Sequence, residues 1–402
     1  MPDDMQGIPM TRARRDIAGL GQVFTPPAIV ERMLARVKNR GRVLEPACGD
    51  GAFVDLIPPH YPEVTAIELD ARHCPEGALN MDFFTYPVSE KFDTVIGNPP
   101  YVKARDIPPG TRRHLASRLL DGHANLYLHF IEKCVRHLAP GGELVFITPR
   151  DFLKATAATR LNTWLFDQGT ITDFEDLGDA RIFDDVTPNC AIWRYELGNM
   201  ARRLNDGRRM SLAGGQLLFT RGIYSVPLNS VFSVKVGAVS GADDIFTSAS
   251  RGNADFVCSR TAQTGELRRM IFPDPIRPPP AFLEPFKERL LARRVTKFDE
   301  HNWWQWGRRH HISDAPRIYV NHKTRNPRPF FIEDCRNYDG SILALFPHRT
   351  KMDVRRLADM LNDVDWHELG FVCNGRFLFS QRSLENTLLP EEFAVYEVDG
   401  LV

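Results

Sequence analysis

The tetrapeptide Asn98-Pro99-Pro100-Tyr101 has the residue types needed to hold a planar amine for chemistry. The exocyclic amine of a nucleobase is a weak nucleophile because its lone pair is delocalised into the ring. Acceptors on its two hydrogens favour tetrahedral geometry and stabilise the positive charge that develops. The side chain of Asn98 and the carbonyl of Pro99 could be those acceptors, since the prolines fix φ and remove N–H donors. Tyr101 offers a ring against which a planar group could stack.

A glycine-containing loop upstream, residues 45–51, begins with the acid Glu45. It lacks the glycine pattern of dinucleotide sites and the Lys-Ser/Thr of phosphate-binding loops. An acidic loop suits a cationic or zwitterionic ligand, and S-adenosylmethionine carries both a sulfonium and an ammonium group. Glu68, at the end of the next predicted strand, could accept hydrogen bonds from ribose hydroxyls. Asp82 and Phe83 could bind an adenine amine and pack on its ring.

Strands and helices must position these residues, and short apolar runs alternate with helical patterns over residues 1–200, which predicts a parallel α/β sheet. A helix is predicted from Leu126 to Leu138, ended by Pro140-Gly141-Gly142. The predicted strands are 42–46, 64–68, 92–97, 143–147, 171–177 and 190–195. Asn98 therefore lies at the carboxyl end of a strand, where α/β folds place their sites.

The ordered motifs of residues 20–196 resemble the N6-adenine DNA methyltransferases of type II restriction–modification systems, more narrowly the gamma-order, TaqI-type enzymes. The segments that carry the resemblance are Gly21 to Pro27, Val43 to Phe53, Ile67 to Asp70, Asp82-Phe83, Gly97 to Tyr101, Asn125 to Tyr127 with Pro140 to Gly142, and Ile182-Phe183 with Cys190 to Tyr195. The resemblance implies an α/β, Rossmann-like class I methyltransferase domain and a C-terminal mixed α/β target-recognition domain.

The resemblance also implies a role for each matching residue. The S-adenosylmethionine site would be formed by Thr25, Glu45, Ala47, Cys48, Gly49, Glu68, Asp82, Phe83 and Pro100. Asn98 and Pro99 would bind the target amine within the catalytic tetrapeptide that Pro100 and Tyr101 complete, and Tyr101 and Phe183 would contact the extruded base. Asparagine in the first position, where the cytosine-N4 enzymes usually carry serine, favours adenine. No metal is implied.

The chain divides at a polar, arginine- and glycine-rich segment, 199–215, which predicts a linker between a catalytic domain, 1–198, and a recognition domain, 216–402. Lys and Arg number 51 and Asp and Glu 51, so the formal net charge is zero. The segment 287–328 nevertheless holds 11 basic and 4 acidic residues, a local net charge of +7. Such a concentration is typical of a polyanion-binding surface, and also of a solvated surface segment.

Double-stranded DNA is the predicted partner of the second half, because a base inside a duplex must be extruded before a methyl donor can reach it. The candidate phosphate or guanine contacts are Arg308, Arg309, Lys323, Arg325 and Arg328. Trp303, Trp304 and Trp306 are either a stacking cluster or the core of the second domain. A cognate restriction endonuclease would be a further partner, and a monomer is natural for an enzyme that carries its own recognition domain.

Two alternatives remain open. The tetrapeptide would also suit an RNA adenine or a protein glutamine side chain, although a glutamine enzyme would not need a basic C-terminal domain. A catalytically silent DNA-binding specificity subunit is the other alternative, and the intact Asn98 argues against it. The 7 scattered cysteines, the absence of a long apolar run and the polar N-terminus predict a cytoplasmic protein without a membrane span.

Overall fold

A computed structural model describes residues 25–57, 61–178, 189–349, 352–373 and 375–398. The chain forms two compact units, Met1–Arg221 and Gly222–Val402. The elements of the first unit are α1 (Pro27–Leu34), β1 (Val43–Glu45), β2 (Val64–Glu68), β3 (Leu79–Asn80), β4 (Phe92–Gly97), α2 (Pro109–Arg112), α3 (Leu126–Arg136), β5 (Leu138–Pro149), α4 (Thr159–Gln168), β6 (Gly169–Asp176), β7 (Cys190–Leu197), β8 (Arg209–Ala213) and β9 (Gln216–Thr220).

Strands β1 to β7 of the described residues form one sheet in the order β3-β2-β1-β4-β5-β7-β6. The first five strands pair in parallel, whereas β7 lies antiparallel between β5 and β6. The central strands β1 and β4 are buried along almost their whole length, as is typical of a parallel sheet whose two faces are covered. This topology confirms the predicted Rossmann-like class I methyltransferase fold.

The sequence predicted that the turn Pro140-Gly141-Gly142 separates helix α3 from the next strand, and this prediction is wrong. Helix α3 ends at Arg136, and β5 already begins at Leu138. The register of β5 against β4 shifts between its first and later pairs, so the turn forms an irregularity inside the strand. Gly141, at φ 75°, takes the left-handed conformation that such an irregularity requires.

The segment predicted as a linker also has structure. Residues 209–220 form the antiparallel hairpin β8–β9. Met210, Leu217 and Phe219 are buried in the same apolar cluster as the sheet and helix α3. The first unit therefore extends to Arg221, beyond the predicted domain end at residue 198, because this hairpin buries its apolar residues there.

The second unit is rich in short strands. Its elements are β10 (Tyr224–Pro227), α5 (Leu228–Val231), β11 (Phe232–Val236), α6 (Asp243–Phe246), β12 (Ala254–Phe256), α7 (Thr261–Thr264), β13 (Arg268–Met270), α8 (Lys287–Leu291), β14 (Ile318–Asn321), β15 (Lys323–Thr324), β16 (Phe330–Phe331), β17 (Ile342–Pro347), α9 (Val354–Asp363), β18 (Val372–Cys373), β19 (Arg376–Leu378), α10 (Gln381–Glu385) and β20 (Leu388–Pro390). Its largest sheet has the order β11-β17-β14-β16, and a second sheet has the order β15-β19-β18. No helix in the described part of the chain is long and apolar enough to cross a membrane.

Candidate active site

The candidate site lies where the direction of strand order reverses in the sheet, between β1 and β4. The chain proceeds outward from β1 through β2 to β3 on one side, and from β4 to β5 on the other. The loops that leave the carboxyl ends of β1 and β4 therefore diverge and form a crevice. The acidic glycine loop follows β1, and Asn98 follows β4, so the fold brings the two motifs together.

The loop after β1 is tied to the end of β2 through the carboxylate of Glu68. Gly49, at φ 55°, donates its N–H to Oε2 of Glu68 at 2.8 Å, and the N–H of Asp70 binds Oε1 at 2.8 Å. The N–H of Cys48 binds the carbonyl of Ile67 at 2.9 Å. These bonds hold a buried carboxylate at the floor of the crevice, at the position predicted to meet the ribose hydroxyls.

Glu45 makes the site electrostatically suited to a cation. Its side chain is 1% exposed, and Oε2 has no hydrogen-bond partner among the described residues. Burial, and then the nearby Asp50 and Glu68 carboxylates, raise the pKa of Glu45 well above its ordinary range. A positively charged ligand would relieve this repulsion. These carboxylates therefore fit the sulfonium and ammonium groups of S-adenosylmethionine.

Asp82 and Phe83 form another part of the wall. Oδ1 of Asp82 accepts a hydrogen bond from the N–H of Phe84 at 2.9 Å, which fixes the turn that carries the rings of Phe83 and Phe84. The Phe83 ring stacks on Phe130 with centroids 5.2 Å apart. Nζ of Lys133 lies 4.9 Å from the Phe83 ring centroid and donates to the carbonyl of Tyr86 at 2.7 Å. Burial lowers the pKa of Lys133 to about 8.

The catalytic tetrapeptide begins where β4 ends. Nδ2 of Asn98 donates to Oγ1 of the buried Thr25 at 3.1 Å, which orients the amide. The hydroxyl of Tyr101 donates to the carbonyl of Ile147 at 3.1 Å, and Sγ of Cys190 donates to the same hydroxyl at 3.8 Å. Burial, followed by Cys190, raises the pKa of Tyr101 well above its ordinary range. The half-buried ring of Tyr101 is thus held between the ends of β5 and β7.

A cavity of about 810 Å³, including its open mouth, joins the two motifs. This volume is within the range of small-molecule sites. Of the predicted site residues, it is lined by Ala47, Gly49, Glu68, Asp82, Phe83, Asn98, Pro99 and Pro100. Thr25, Glu45, Cys48 and Tyr101 are not in this lining, although Thr25 contacts Asn98 and the other three are members of the same two loops. Phe183 lies outside the described residues.

Several other residues line the cavity that were not predicted from the sequence. They are Pro46, Leu69, Met81, Phe84, Val102, Pro108, Thr111, Leu126 and Phe130. The spacing of Leu126 and Phe130, four residues apart at the start of α3, could have indicated one helix face. Pro108 caps the short helix α2 and Thr111 lies within it, and no sequence pattern indicates that this helix is close to the cavity.

The five predicted DNA-contacting side chains have different surroundings in the second unit. Lys323 and Arg325 are exposed. Arg309 donates to the carbonyl of Pro273 at 3.1 Å and lies over the Phe272 ring, and Arg308 donates to the carbonyl of Gly237 at 3.1 Å. Arg328 forms ion pairs with two aspartates of α9.

The tryptophan cluster belongs to the core of the second unit. Trp303, Trp304 and Trp306 are at most 8% exposed and pack in one apolar cluster with Phe246 and Phe256. This burial supports the core interpretation over a stacking surface for nucleobases.

The fold and the site together define an S-adenosylmethionine-dependent class I methyltransferase domain. Residues 69–183 match the family model described as Eco57I restriction-modification methylase. The chain is similar to the type II methyltransferase M.HincII of Haemophilus influenzae, at 30% identity over 195 residues that cover 46% of this chain and 39% of that protein. It is also similar to a type II methyltransferase of Thermus thermophilus, at 34% identity over 221 residues that cover 50% of each chain.

A solved structure, that of the type IIG restriction endonuclease BpuSI, aligns with 93% of this chain and 60% of its own length. The identity is 11% and the TM-score 0.40. The chain spans half or less of the length of the two type II relatives above. The family match and these relatives confirm the resemblance to type II restriction–modification methyltransferases, and support S-adenosylmethionine as the cofactor.

Proposed function

We propose that this chain methylates the N6 amine of adenine in duplex DNA. The observation that carries the proposal is the single cavity that contains Asn98 and Pro99 together with Glu68 and Asp82. A methyl donor bound along the acidic wall would lie beside the two oxygens proposed to hold the amine. The similarity to type II methyltransferases supports DNA as the polymer.

In this proposal the cofactor is held by groups that the fold has already positioned. Glu68 would accept hydrogen bonds from the ribose hydroxyls. Asp82 would accept one from the adenine amine of the cofactor, and the Phe83 ring would pack against the same adenine. A bound cation would favour the charged form of Glu45, which lies buried beneath the loop. When bound, S-adenosylmethionine supplies an electrophilic methyl group on a positively charged sulfur.

Asn98 and Pro99 act on the target adenine. The side-chain oxygen of Asn98 and the carbonyl of Pro99 accept the two N6 hydrogens, which localises the lone pair on nitrogen. S-adenosylmethionine held by Glu68, Asp82 and Phe83 would supply the methyl group that the N6 lone pair accepts. The extra N6 proton leaves to water after transfer, so no general base is required. Tyr101, and in our prediction Phe183, stack on the extruded base.

The second unit supplies the contacts that offset the cost of extruding the base, a few kcal/mol. We expect the protein to act as a monomer on duplex DNA, and to protect its sites against a cognate restriction endonuclease. The basic segment 287–328 and the relatives' designation as type II methyltransferases support this part of the proposal.

Transfer of tritiated methyl groups to duplex DNA, tRNA and protein tests the proposal directly. We expect label in duplex DNA, recovered as N6-methyladenine, and sequencing of the modified DNA would then identify the site. Asn98→Ala should slow transfer by about 100- to 1,000-fold, while calorimetry still shows cofactor binding. Unchanged turnover in this variant would refute the catalytic assignment, and label found in tRNA or protein alone would refute DNA as the substrate.

A further inference from the structure

The small sheet β15-β19-β18 of the second unit has one strongly basic face. Lys323 pairs with Leu378 and Thr324 with Phe377 in antiparallel register. Lys323 is exposed and Thr324 half-buried, while on the partner strand Leu378 is exposed and Phe377 half-buried. This alternation places every second residue on the solvent side.

An arginine adjoins the paired stretch on each of these two strands. Arg325 follows Thr324, and Arg376 precedes Phe377, and both arginines are exposed, as Lys323 is. Residues two apart on a strand are about 6.6 Å apart, and neighbouring strands about 4.8 Å. Three cations therefore occupy one small patch, the basic face (Lys323, Arg325 and Arg376).

This arrangement costs free energy in the isolated protein, because like charges that lie close together repel one another. Among the described residues, no carboxylate forms an ion pair with any member of the basic face. Two other exposed arginines of the same unit are paired, since Arg328 binds Asp359 and Asp363, and Arg336 binds Asp314. The charge of the basic face is therefore not neutralised by a described carboxylate.

We propose that the basic face binds the phosphates of a DNA duplex, a surface assignment that rests on the proposed function. A polyanion would relieve the repulsion between Arg325 and Arg376, and two-stranded ribbons of this kind fit the major groove. An acidic protein is a poorer fit, since protein interfaces have apolar centres depleted of charge. Leu378, at 36% exposure, is the large apolar side chain that the described strands place on this face.

The test is the salt dependence of duplex binding by the full chain, measured by fluorescence anisotropy with S-adenosylmethionine present. We expect the triple variant Lys323→Gln, Arg325→Gln, Arg376→Gln to reduce the slope of log affinity against log salt by about 2 to 3, because each phosphate contact contributes about 0.9. The loss should be alike for specific and unrelated duplexes. Arg336→Gln, which removes an exposed but ion-paired arginine, is the matched control and should leave the slope unchanged.

An unchanged slope in the triple variant, or an equal loss in Arg336→Gln, would overturn the assignment. The assignment would also be overturned if the triple variant lost affinity for single-stranded RNA but not for the DNA duplex. Thermal unfolding of each variant, compared with the wild type, shows whether the second unit is folded. If the wild type labels no DNA but its duplex binding depends on the basic face, the proposed function fails and this surface stands. If the wild type labels DNA and the triple variant keeps its slope, only the surface assignment fails.

Discussion

Thr25 should act on catalysis through Asn98, and this coupling is measurable. Oγ1 of Thr25 accepts the Nδ2 hydrogen bond of Asn98 at 3.1 Å, and the Thr25 side chain is 7% exposed. Without this acceptor the Asn98 amide would lose one of the contacts that orient it. Thr25→Val removes the hydroxyl at similar volume and should therefore lower kcat, while Thr25→Ser keeps the hydroxyl and should not.

The size of the effect follows from the type of bond. A neutral side-chain hydrogen bond contributes about 0.5–1.5 kcal/mol, which corresponds to a loss of about 2- to 10-fold in kcat if the whole contribution serves orientation. Removing the acceptor on Asn98 itself should cost more, about 100- to 1,000-fold by comparison with single oxyanion-hole groups. The two losses should not add, because both act on one amide.

The assay is a double-mutant cycle of Thr25→Val and Asn98→Ala in single-turnover methyl transfer with saturating cofactor and DNA. The expected result is that Thr25→Val slows the wild type but has no further effect in the Asn98→Ala background. A loss of the same size in both backgrounds would refute the coupling and assign Thr25 to an independent role, such as cofactor binding. Loss of activity in Thr25→Ser would also refute the hydrogen-bond argument.

Three further predictions concern the groups around the site. Glu68→Gln disrupts an acceptor of two backbone N–H groups and should raise the KM for S-adenosylmethionine at least about tenfold with little change in kcat. Burial lowers the pKa of His137 from 6.5 to about 4, so the folded state takes up this proton only at a lower pH than the unfolded state. Urea denaturation should therefore show a free energy of unfolding that falls by at most about 3 kcal/mol from pH 6.5 to 4, and by less in His137→Gln. Arg194→Met leaves the fully buried Glu143 without its cation and should lower the free energy of unfolding by about 3–5 kcal/mol, part of which Glu143→Leu should restore.

The sequence predicted the sheet and the placement of both loops for a definite physical reason. Buried parallel strands are continuous apolar runs, so β2 and β4 were predicted at the bounds that the structure shows. Residues that directly follow such strands must lie at the carboxyl edge, which is enough to bring Glu68 and Asn98 to one cavity. The position of Asp82 did not follow in this way, because the two-residue strand β3 that precedes it was not among the predicted strands.

Other features depend on pairings that a sequence does not display. The bulge at Gly141 arises because β5 must keep its pairing with β4 across extra residues, and helix-ending residues gave the opposite prediction. The beginning of the hairpin 209–220 was predicted as a linker because the segment 199–215 is polar and rich in arginine and glycine. Pro108 and Thr111 reach the cavity through the short helix α2, and only the tertiary fold determines where this helix lies.

A count of charges in the sequence does not distinguish arginines that face solvent from arginines that bind backbone carbonyls inside the fold. Arg293 donates to the carbonyls of Leu290, Ser240, Trp303 and Gln305, and burial lowers its pKa to about 10. A unit built of short strands and irregular loops has many carbonyls without strand partners, and a guanidinium group with five donors satisfies several at once.

Much of the +7 charge of residues 287–328 therefore serves the fold. Arg317 donates to carbonyls in the same way, and Arg328 is held by carboxylates. A polyanion-binding surface in such a unit is identified by cations that have neither kind of partner. By that criterion Lys323 and Arg325 remain from the predicted set, and the register of β15 and β19 adds Arg376, which the charge count of the segment does not include.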